Sequence, residues 1–122
     1  MTTKERKFHT LIEDKRYLVK KLSYIGVDKK YTGYFFLIEI MNILINELPH
    51  RIISFSREVY PLVADRYNVS VCSIERDIRN VIDKCWSQEM AARLNVFRLD
   101  CDRPCCRDFI FMIKNFIMRQ IT

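Results

Sequence analysis

Residues 61–85 read PLVADRYNVSVCSIERDIRNVIDKC, and this stretch decides the fold. Pro61 suits the first position of a helix, and Asn68 tolerates the left-handed conformation in which many helices end. Val69 can fill the turn that follows, and Ser70 can cap a second helix. The stretch therefore predicts two helices joined by about three residues, which is a helix-turn-helix at about 61–85.

The second helix of this pair is predicted at about residues 71–85 from the spacing of its apolar side chains. Its inward positions are Ile74, Ile78, Val81, Ile82 and Cys85. Its outward positions are Ser73, Arg76, Asp77, Asn80 and Lys84, with Glu75 and Arg79 at the borders. Such a helix can enter a major groove about 12 Å wide, where Arg bonds guanine and Asn bonds adenine in a bidentate manner. The outer face is therefore suited to reading DNA.

The candidate DNA-binding residues lie on this helix or at its start. They are Ser70, Ser73, Glu75, Arg76, Arg79, Asn80 and Lys84. The two arginines and the asparagine are expected at base edges, whereas the two serines and the free amides of the helix start can hold a phosphate. Glu75 can accept a hydrogen bond from a cytosine amino group, or it can orient Arg79 one turn later. The sequence leaves both roles open.

Apolar spacing predicts further helices on both sides of this stretch. They are expected at about residues 10–25, 34–47, 87–94 and 105–120, with a shorter amphipathic segment at 52–60. The 34–47 segment is apolar almost all round, so it should be the central buried helix. We predict a basic flexible tail over residues 1–9 and one helical domain over residues 10–122. The fold class is all-α, a single bundle-like domain of six helices, within a range of about five to seven.

Composition agrees with one helical domain. The chain has 122 residues, enough for one domain with a core and too few for two of ordinary size. With 49% hydrophobic residues it has a globular composition, and 2 Gly and 3 Pro are too few for the repeated turns of an all-β fold. Neither an apolar run of about 18–20 residues nor a signal peptide is present, so we expect a cytoplasmic protein.

Charge is distributed unevenly along the chain, whose formal net charge is +6. Residues 1–30 carry +5 and residues 91–122 carry +3, whereas residues 61–90 carry −1. The basic flanks are expected to attract phosphates without regard to sequence. The three aspartates of the helix-turn-helix count against a generic nucleic-acid surface, and a modest positive charge can also serve solubility alone.

Metal and catalytic chemistry are not predicted. Cys101, Cys105 and Cys106 form a cluster that could hold zinc with His9 or His50, but the spacing is not that of a usual zinc site. Reduced thiols are the expected state of the five cysteines. No glycine-rich phosphate loop exists, and neither histidine has an evident orienting partner. We therefore expect no metal, no cofactor and no enzymatic activity.

The chain resembles the C-terminal DNA-binding effector domain of the stage-zero sporulation protein A family, whose response regulator starts sporulation in Firmicutes. The motifs that carry the resemblance are Tyr24–Val27, Gly33–Leu37, Val59–Pro61, Tyr67-Asn68, Ser73–Arg79, Trp86-Ser87, Arg103-Pro104 and Asp108–Ile110. They span about residues 17–118. The resemblance implies a six-helix effector domain that reads a short promoter box, often as a head-to-tail pair, to regulate transcription. It also implies RNA polymerase as a further partner.

Three departures from the family pattern matter for function. Ser73 stands where an arginine is usual, so the preferred box or the affinity is expected to differ. The connection between Trp86 and Pro104 is shorter than in the family, which bears on contacts with polymerase and with a second copy. The sequence holds no receiver domain, so either an isolated effector domain or a free-standing regulator is expected, and the initiator Met1 favours the latter slightly.

Two functions remain open from the sequence. The first is sequence-specific binding of double-stranded DNA by the helix at about 71–85. The alternative is a protein-interaction module that modulates a related regulator or RNA polymerase without reading DNA. The near-neutral helix-turn-helix, the serine at position 73 and the pair Phe111 and Met118, which lies off the inward face of the last helix, motivate the alternative.

Overall fold

The computed structural model describes residues 15–47, 54–96 and 103–121. Within these ranges the α-helices are α1 (Lys15–Ile25), α2 (Thr32–Asn42), α3 (Tyr60–Tyr67), α4 (Val71–Cys85), α5 (Gln88–Arg93) and α6 (Cys106–Ile121). Two π-helical segments, Ile43–Glu47 and Phe55–Val59, extend α2 and precede α3. The described residues contain no strand, and the prediction of an all-α, six-helix fold is confirmed. Within them, no helix combines the length and hydropathy needed to cross a membrane.

The helix α2 is the centre of the fold, as its apolar surface predicts. It packs against α1, α3, α4 and α6. Its buried side chains include Tyr34, Phe36, Leu37, Ile38, Ile40 and Met41. The helix starts at Thr32, two residues before the predicted start, and its last turn is π-helical rather than α-helical. Both helices of the helix-turn-helix therefore pack against the same apolar helix, α2.

Glu39 on α2 is a buried carboxylate that joins three helices. Only 5% of the residue is exposed, and its oxygens accept hydrogen bonds from Lys15 Nζ at 3.0 Å and from Arg66 Nη1 at 2.5 Å. Burial alone would raise the pKa of Glu39, but the hydrogen bonds and charges of the two cations outweigh it, and the pKa is lowered. The ionised carboxylate therefore ties α1 and α3 to the central helix.

The first helix of the helix-turn-helix begins earlier than the sequence predicted. Ser54 is its N-cap, because the Ser54 hydroxyl oxygen accepts from the backbone N–H of Arg57, and Glu58 accepts from the N–H of Ser54. The π-helical segment then continues into α3, where Pro61 is the second residue. Pro61 therefore lies in the first turn of α3, within one residue of the predicted start, and the amphipathic segment predicted at 52–60 is helical from Phe55 and joins α3 directly.

Two arginines fix the last helices to the rest of the domain. Arg93 on α5 donates to the carbonyl oxygen of Tyr24 at 2.6 Å, and Arg119 on α6 donates to that of Leu94 at 2.8 Å. These carbonyls lie near helix C-termini, where acceptors lack partners within the helix. The guanidinium groups thus cap α1 and α5 from neighbouring elements.

The last helix, α6, has a wider apolar face than predicted. Its buried residues are Phe109, Ile110, Ile113, Phe116 and Ile117. Apolar spacing predicts inward positions at Phe109, Met112, Ile113, Phe116 and Ile117; Ile110 is buried in addition, and Met112 is only half-buried. Phe111 and Met118 are also half-buried against the core. The predicted tail, the first turn predicted for helix 1, and His9, His50 and Cys101 lie outside the described residues.

Candidate nucleic-acid interface

The turn between α3 and α4 has the geometry that the sequence predicts. Asn68 adopts a left-handed conformation with φ 54 and ψ 49, and the N–H of Val69 donates to the carbonyl of Ala64 at 3.0 Å. Ser70 is extended and caps α4 by accepting from the N–H of Ser73 at 3.1 Å. Val69 is 37% exposed, so the prediction that it fills the turn is wrong. The residue that packs against the core here is Val71.

The helix α4 begins and ends where predicted and divides cleanly into two faces. Its inward positions Ile74, Ile78, Val81 and Ile82 are buried, and Cys85 is half-buried. Among the candidate residues, Arg76, Arg79, Asn80 and Lys84 are exposed, whereas Ser73 and Glu75 are half-buried. The side chain of Arg76 is 73% exposed. The structure thus brings all seven candidates onto one 15-residue helix and its cap.

The hydroxyl groups of Ser70 and Ser73 are partners of each other. Their oxygens are 2.8 Å apart, in addition to the capping hydrogen bond from the N–H of Ser73. One hydroxyl proton is used within this pair, and the other is left to donate to a ligand. The serines therefore offer one hydroxyl donor at the start of α4, rather than two.

Arginines partly neutralise the acidic residues of α4. Arg76 Nε lies 3.6 Å from a carboxylate oxygen of Asp77, in an exposed pair that contributes little stability. Arg103, in the segment before α6, donates to Asp83 at 2.8 Å. The place of Arg103 on this surface does not follow from the sequence pattern, because the contact joins residues 20 positions apart. With both pairs formed, the aspartates repel phosphates less than their number suggests.

Close packing on two sides fixes the position of α4. On the α2 side, a Cβ atom at Gly33 would lie 2.4 Å from the carbonyl oxygen of Asp77 and 2.7 Å from Val81 Cγ2. On the α6 side, the thiol of Cys106 donates to the carbonyl oxygen of Glu75 at 3.7 Å. The backbone of α4 therefore has little freedom to move relative to α2 without a change at Gly33.

A cleft of about 570 Å³ lies beside α4 on the side of Glu75 and Arg79. Its other walls are the start of the Phe55–Val59 segment and the start of α6, and its lining includes Ser54, Ser56, Tyr60, Asp83, Cys105 and Arg107. Burial raises the pKa of Tyr60 and of Cys106, so both groups are neutral near pH 7. In the described part of the chain, no three potential ligands come together to hold a metal ion.

The border residues of α4 face this cleft and not only the outer surface. Among the described residues no ion pair joins Glu75 to Arg79, so the sequence-based reading in which Glu75 orients Arg79 has no support from a direct contact. Arg79 follows Arg76 by three residues and is displaced from it by about 60° around the helix. Arg79 therefore stands between the exposed ridge of α4 and the cleft.

The sequence matches a known family model over most of its length. The family is described as "Sporulation initiation factor Spo0A C terminal", and the match covers residues 18–117. This range begins in α1 and ends in α6, so it includes the helix-turn-helix and the whole of α4.

Proposed function

The chain belongs to the family of the C-terminal domain of the sporulation initiation factor Spo0A, and from this membership we propose that it binds specific sequences of double-stranded DNA and regulates transcription. The family is one of DNA-binding effector domains and not of enzymes. In the proposed mode, α4 enters the major groove and is the recognition helix. The genes that the chain regulates are then those whose promoters carry the DNA sequence that α4 binds.

The observation that carries this proposal is the chemistry of the exposed face of α4. Arg76, Arg79 and Asn80 are exposed on consecutive turns of a helix whose opposite face is buried. Guanidinium and carboxamide groups at these positions match the hydrogen-bond pattern of guanine and adenine in the major groove. Lys84 and the Ser70–Ser73 pair lie towards the two ends of the helix, where contacts to phosphates set the register.

The test compares a selected duplex with a scrambled one. The duplex is obtained by selection from a random-sequence pool with the purified chain, and affinity is measured by fluorescence anisotropy at about 50 and 200 mM salt. We expect Arg76→Ala to weaken binding of the selected duplex by about 1–3 kcal/mol, with little change on the scrambled duplex, because a base contact is lost. Equal loss on both duplexes would contradict the assignment of Arg76 to a base.

Lys84→Ala is the matched comparison on the same helix. A lysine that contacts a phosphate contributes equally to every sequence, so this substitution should weaken both duplexes alike and reduce the salt dependence. If Lys84→Ala changed the preference between the duplexes, Lys84 would have to be reassigned to a base edge.

The alternative function is a protein-interaction module without DNA readout, and the positions of Phe111 and Met118 give it less support than the sequence did. Phe111 lies against Phe55 with ring centroids 5.2 Å apart, and Met118 packs against the core. Both side chains are half-buried, so only part of each is accessible to a partner. Serine at position 73 still argues for an altered box. Three predictions stay untested: binding to RNA polymerase, head-to-tail pairing on DNA and a cytoplasmic location. Light scattering with and without duplex tests the pairing.

A further inference from the structure

The structure points to a second nucleic-acid contact beside α4, in the cleft between Arg79 and the start of α6. We infer that this cleft binds a backbone phosphate of the same duplex and that Arg107 is its main cation. The inference rests on DNA binding by α4 as proposed above. It adds a contact that the residue pattern of the helix-turn-helix did not indicate.

The balance of charge around the cleft favours an anion. Its lining contains the cations of Arg79 and Arg107 and the carboxylates of Glu75 and Asp83. Asp83 already has a partner, since Arg103 donates to it at 2.8 Å. The lining itself has two arginines and two carboxylates, and Arg103, which contacts Asp83 from outside the lining, tips the balance of charge to positive. The neutral state of Tyr60 and Cys106 adds no negative charge near pH 7.

Arg107 is exposed and keeps its charge available. Its guanidinium group lies 5.7 Å from the centre of the Phe111 ring. A contact with an aromatic face holds the guanidinium without neutralising it, in contrast to an ion pair. Phe111 is itself fixed against Phe55, so the ring forms a rigid support for the cation. Arg107 thus presents an oriented charge at the wall of the cleft.

Hydroxyl groups of Ser54 and Ser56, which also line the cleft, are suitable donors to a phosphate. The oxygen of Ser54 accepts from the N–H of Arg57, which leaves its hydroxyl proton to donate elsewhere. Ser56 is exposed beside it. Hydroxyl and guanidinium donors are common contacts of phosphate oxygens in protein–DNA interfaces.

The position of the cleft selects a DNA phosphate among anions. Arg79 belongs both to the cleft and to the α4 surface that carries Arg76. A duplex whose major groove receives α4 brings a sugar-phosphate strand along each side of that helix. The strand on the Arg79 side then passes the cleft, where Arg107 can reach it.

The experiment measures how duplex affinity depends on salt for Arg107→Gln. Loss of one phosphate contact should make the negative slope of log K against log salt less steep by about 0.9, which corresponds to about eightfold weaker binding at 0.1 M and about fourfold at 0.2 M. The selected and scrambled duplexes should lose affinity equally, so the preference between them stays. Arg107→Lys, which retains the charge, should keep most of the affinity, and circular dichroism checks that each variant is folded.

Lys114→Gln is the matched control, because it removes one positive charge from the same helix about 10 Å further along and outside the cleft. The inference is overturned if Arg107→Gln binds both duplexes as Lys114→Gln does. It is also overturned if Arg107→Gln loses calorimetric binding of pyrophosphate but not of duplex, since the cleft would then hold a small anion. Failure of the proposed function looks different: the unmodified chain would show no preference for the selected duplex, whatever Arg107 does.

Discussion

The packing of α2 against α4 predicts that Gly33→Ala disturbs the proposed DNA binding through the position of α4. The new methyl group would lie 2.4 Å from the carbonyl oxygen of Asp77, 2.8 Å from its carbonyl carbon and 2.7 Å from Val81 Cγ2. Two of these three atoms belong to the backbone of α4, so no side-chain rotation relieves the clash. The two helices must therefore move apart by roughly 1 Å to reach ordinary contact distances.

The expected cost follows from two opposing effects. Insertion of a methyl group into a packed interface typically costs about 1–3 kcal/mol, and the upper end applies where backbone atoms resist. Alanine is a better helix former than glycine by about 1 kcal/mol, and position 33 lies within α2. The net loss of stability should therefore be about 2 kcal/mol, or about 10 °C in Tm for a domain of this size.

The assay combines urea unfolding with duplex binding at a temperature where the variant is folded. Gly33→Ala should lower the urea midpoint and also weaken binding of the selected duplex, because α4 is displaced relative to the rest of the DNA-binding surface. Gly26→Ala is the control. Its φ of +104 makes a side chain costly there, by about 1–2 kcal/mol, but its Cβ would lie 3.6 Å from Met90 Cε, and none of its nearest neighbours is in α4.

The two glycine variants should thus lose similar stability and differ in DNA affinity. If folded Gly33→Ala bound the selected duplex as tightly as the unmodified chain, the contact would not set the position of α4. If Gly33→Ala were also as stable as the unmodified chain, the steric argument itself would be refuted.

Two further substitutions test the buried polar groups of α2. Glu39→Gln should destabilise the domain by about 2 kcal/mol at pH 7, since charge-assisted hydrogen bonds to Lys15 and Arg66 are weakened. Because folding lowers the pKa of Glu39, its contribution to the free energy of unfolding is complete above the ordinary pKa of 4.5 and is lost as the pH falls through the lower pKa of the folded state. The urea midpoints of the variant and the unmodified chain should therefore converge in acid. Tyr34→Phe should leave stability unchanged or raise it by about 1 kcal/mol, because the buried Tyr34 hydroxyl has no hydrogen-bond partner among the residues that the structure describes. A clear loss in thermal unfolding would show that the hydroxyl does have a partner.

The parts of the fold that could be predicted from sequence are those with strong local signals. The helix α4 was predicted from its apolar period and from Ser70, and both its bounds are confirmed. The left-handed turn at Asn68 follows from the tolerance of asparagine for positive φ. Local chemistry fixes such features, so they do not depend on what the rest of the chain does.

Features that depend on tertiary contacts were missed. Glu39 interrupts an otherwise apolar segment of the sequence. Its burial could not be predicted, because its partners Lys15 and Arg66 lie 24 and 27 positions away in sequence. The positions of Arg103 and Arg107 near α4 could not be predicted, because their local sequence does not indicate which helix packs against the start of α6. By contrast, the capping pair of Ser54 and Glu58 is a local signal that could have been predicted from the sequence. The helix start was instead predicted at Pro61, because proline is common at the first helical position.

The same contacts explain how a domain with a nearly neutral helix-turn-helix can still offer DNA a positive surface. Residues 61–90 carry −1 as a segment, but the surface beside α4 is assembled from more than one segment. Arg103 neutralises Asp83, and Arg107 adds a charge supported by Phe111. Both arginines come from the basic C-terminal third, so the folded chain places part of that excess next to α4. Net charge summed along a sequence window therefore underestimates the attraction of this surface for phosphate, and the salt dependence of the Arg107 variants measures by how much.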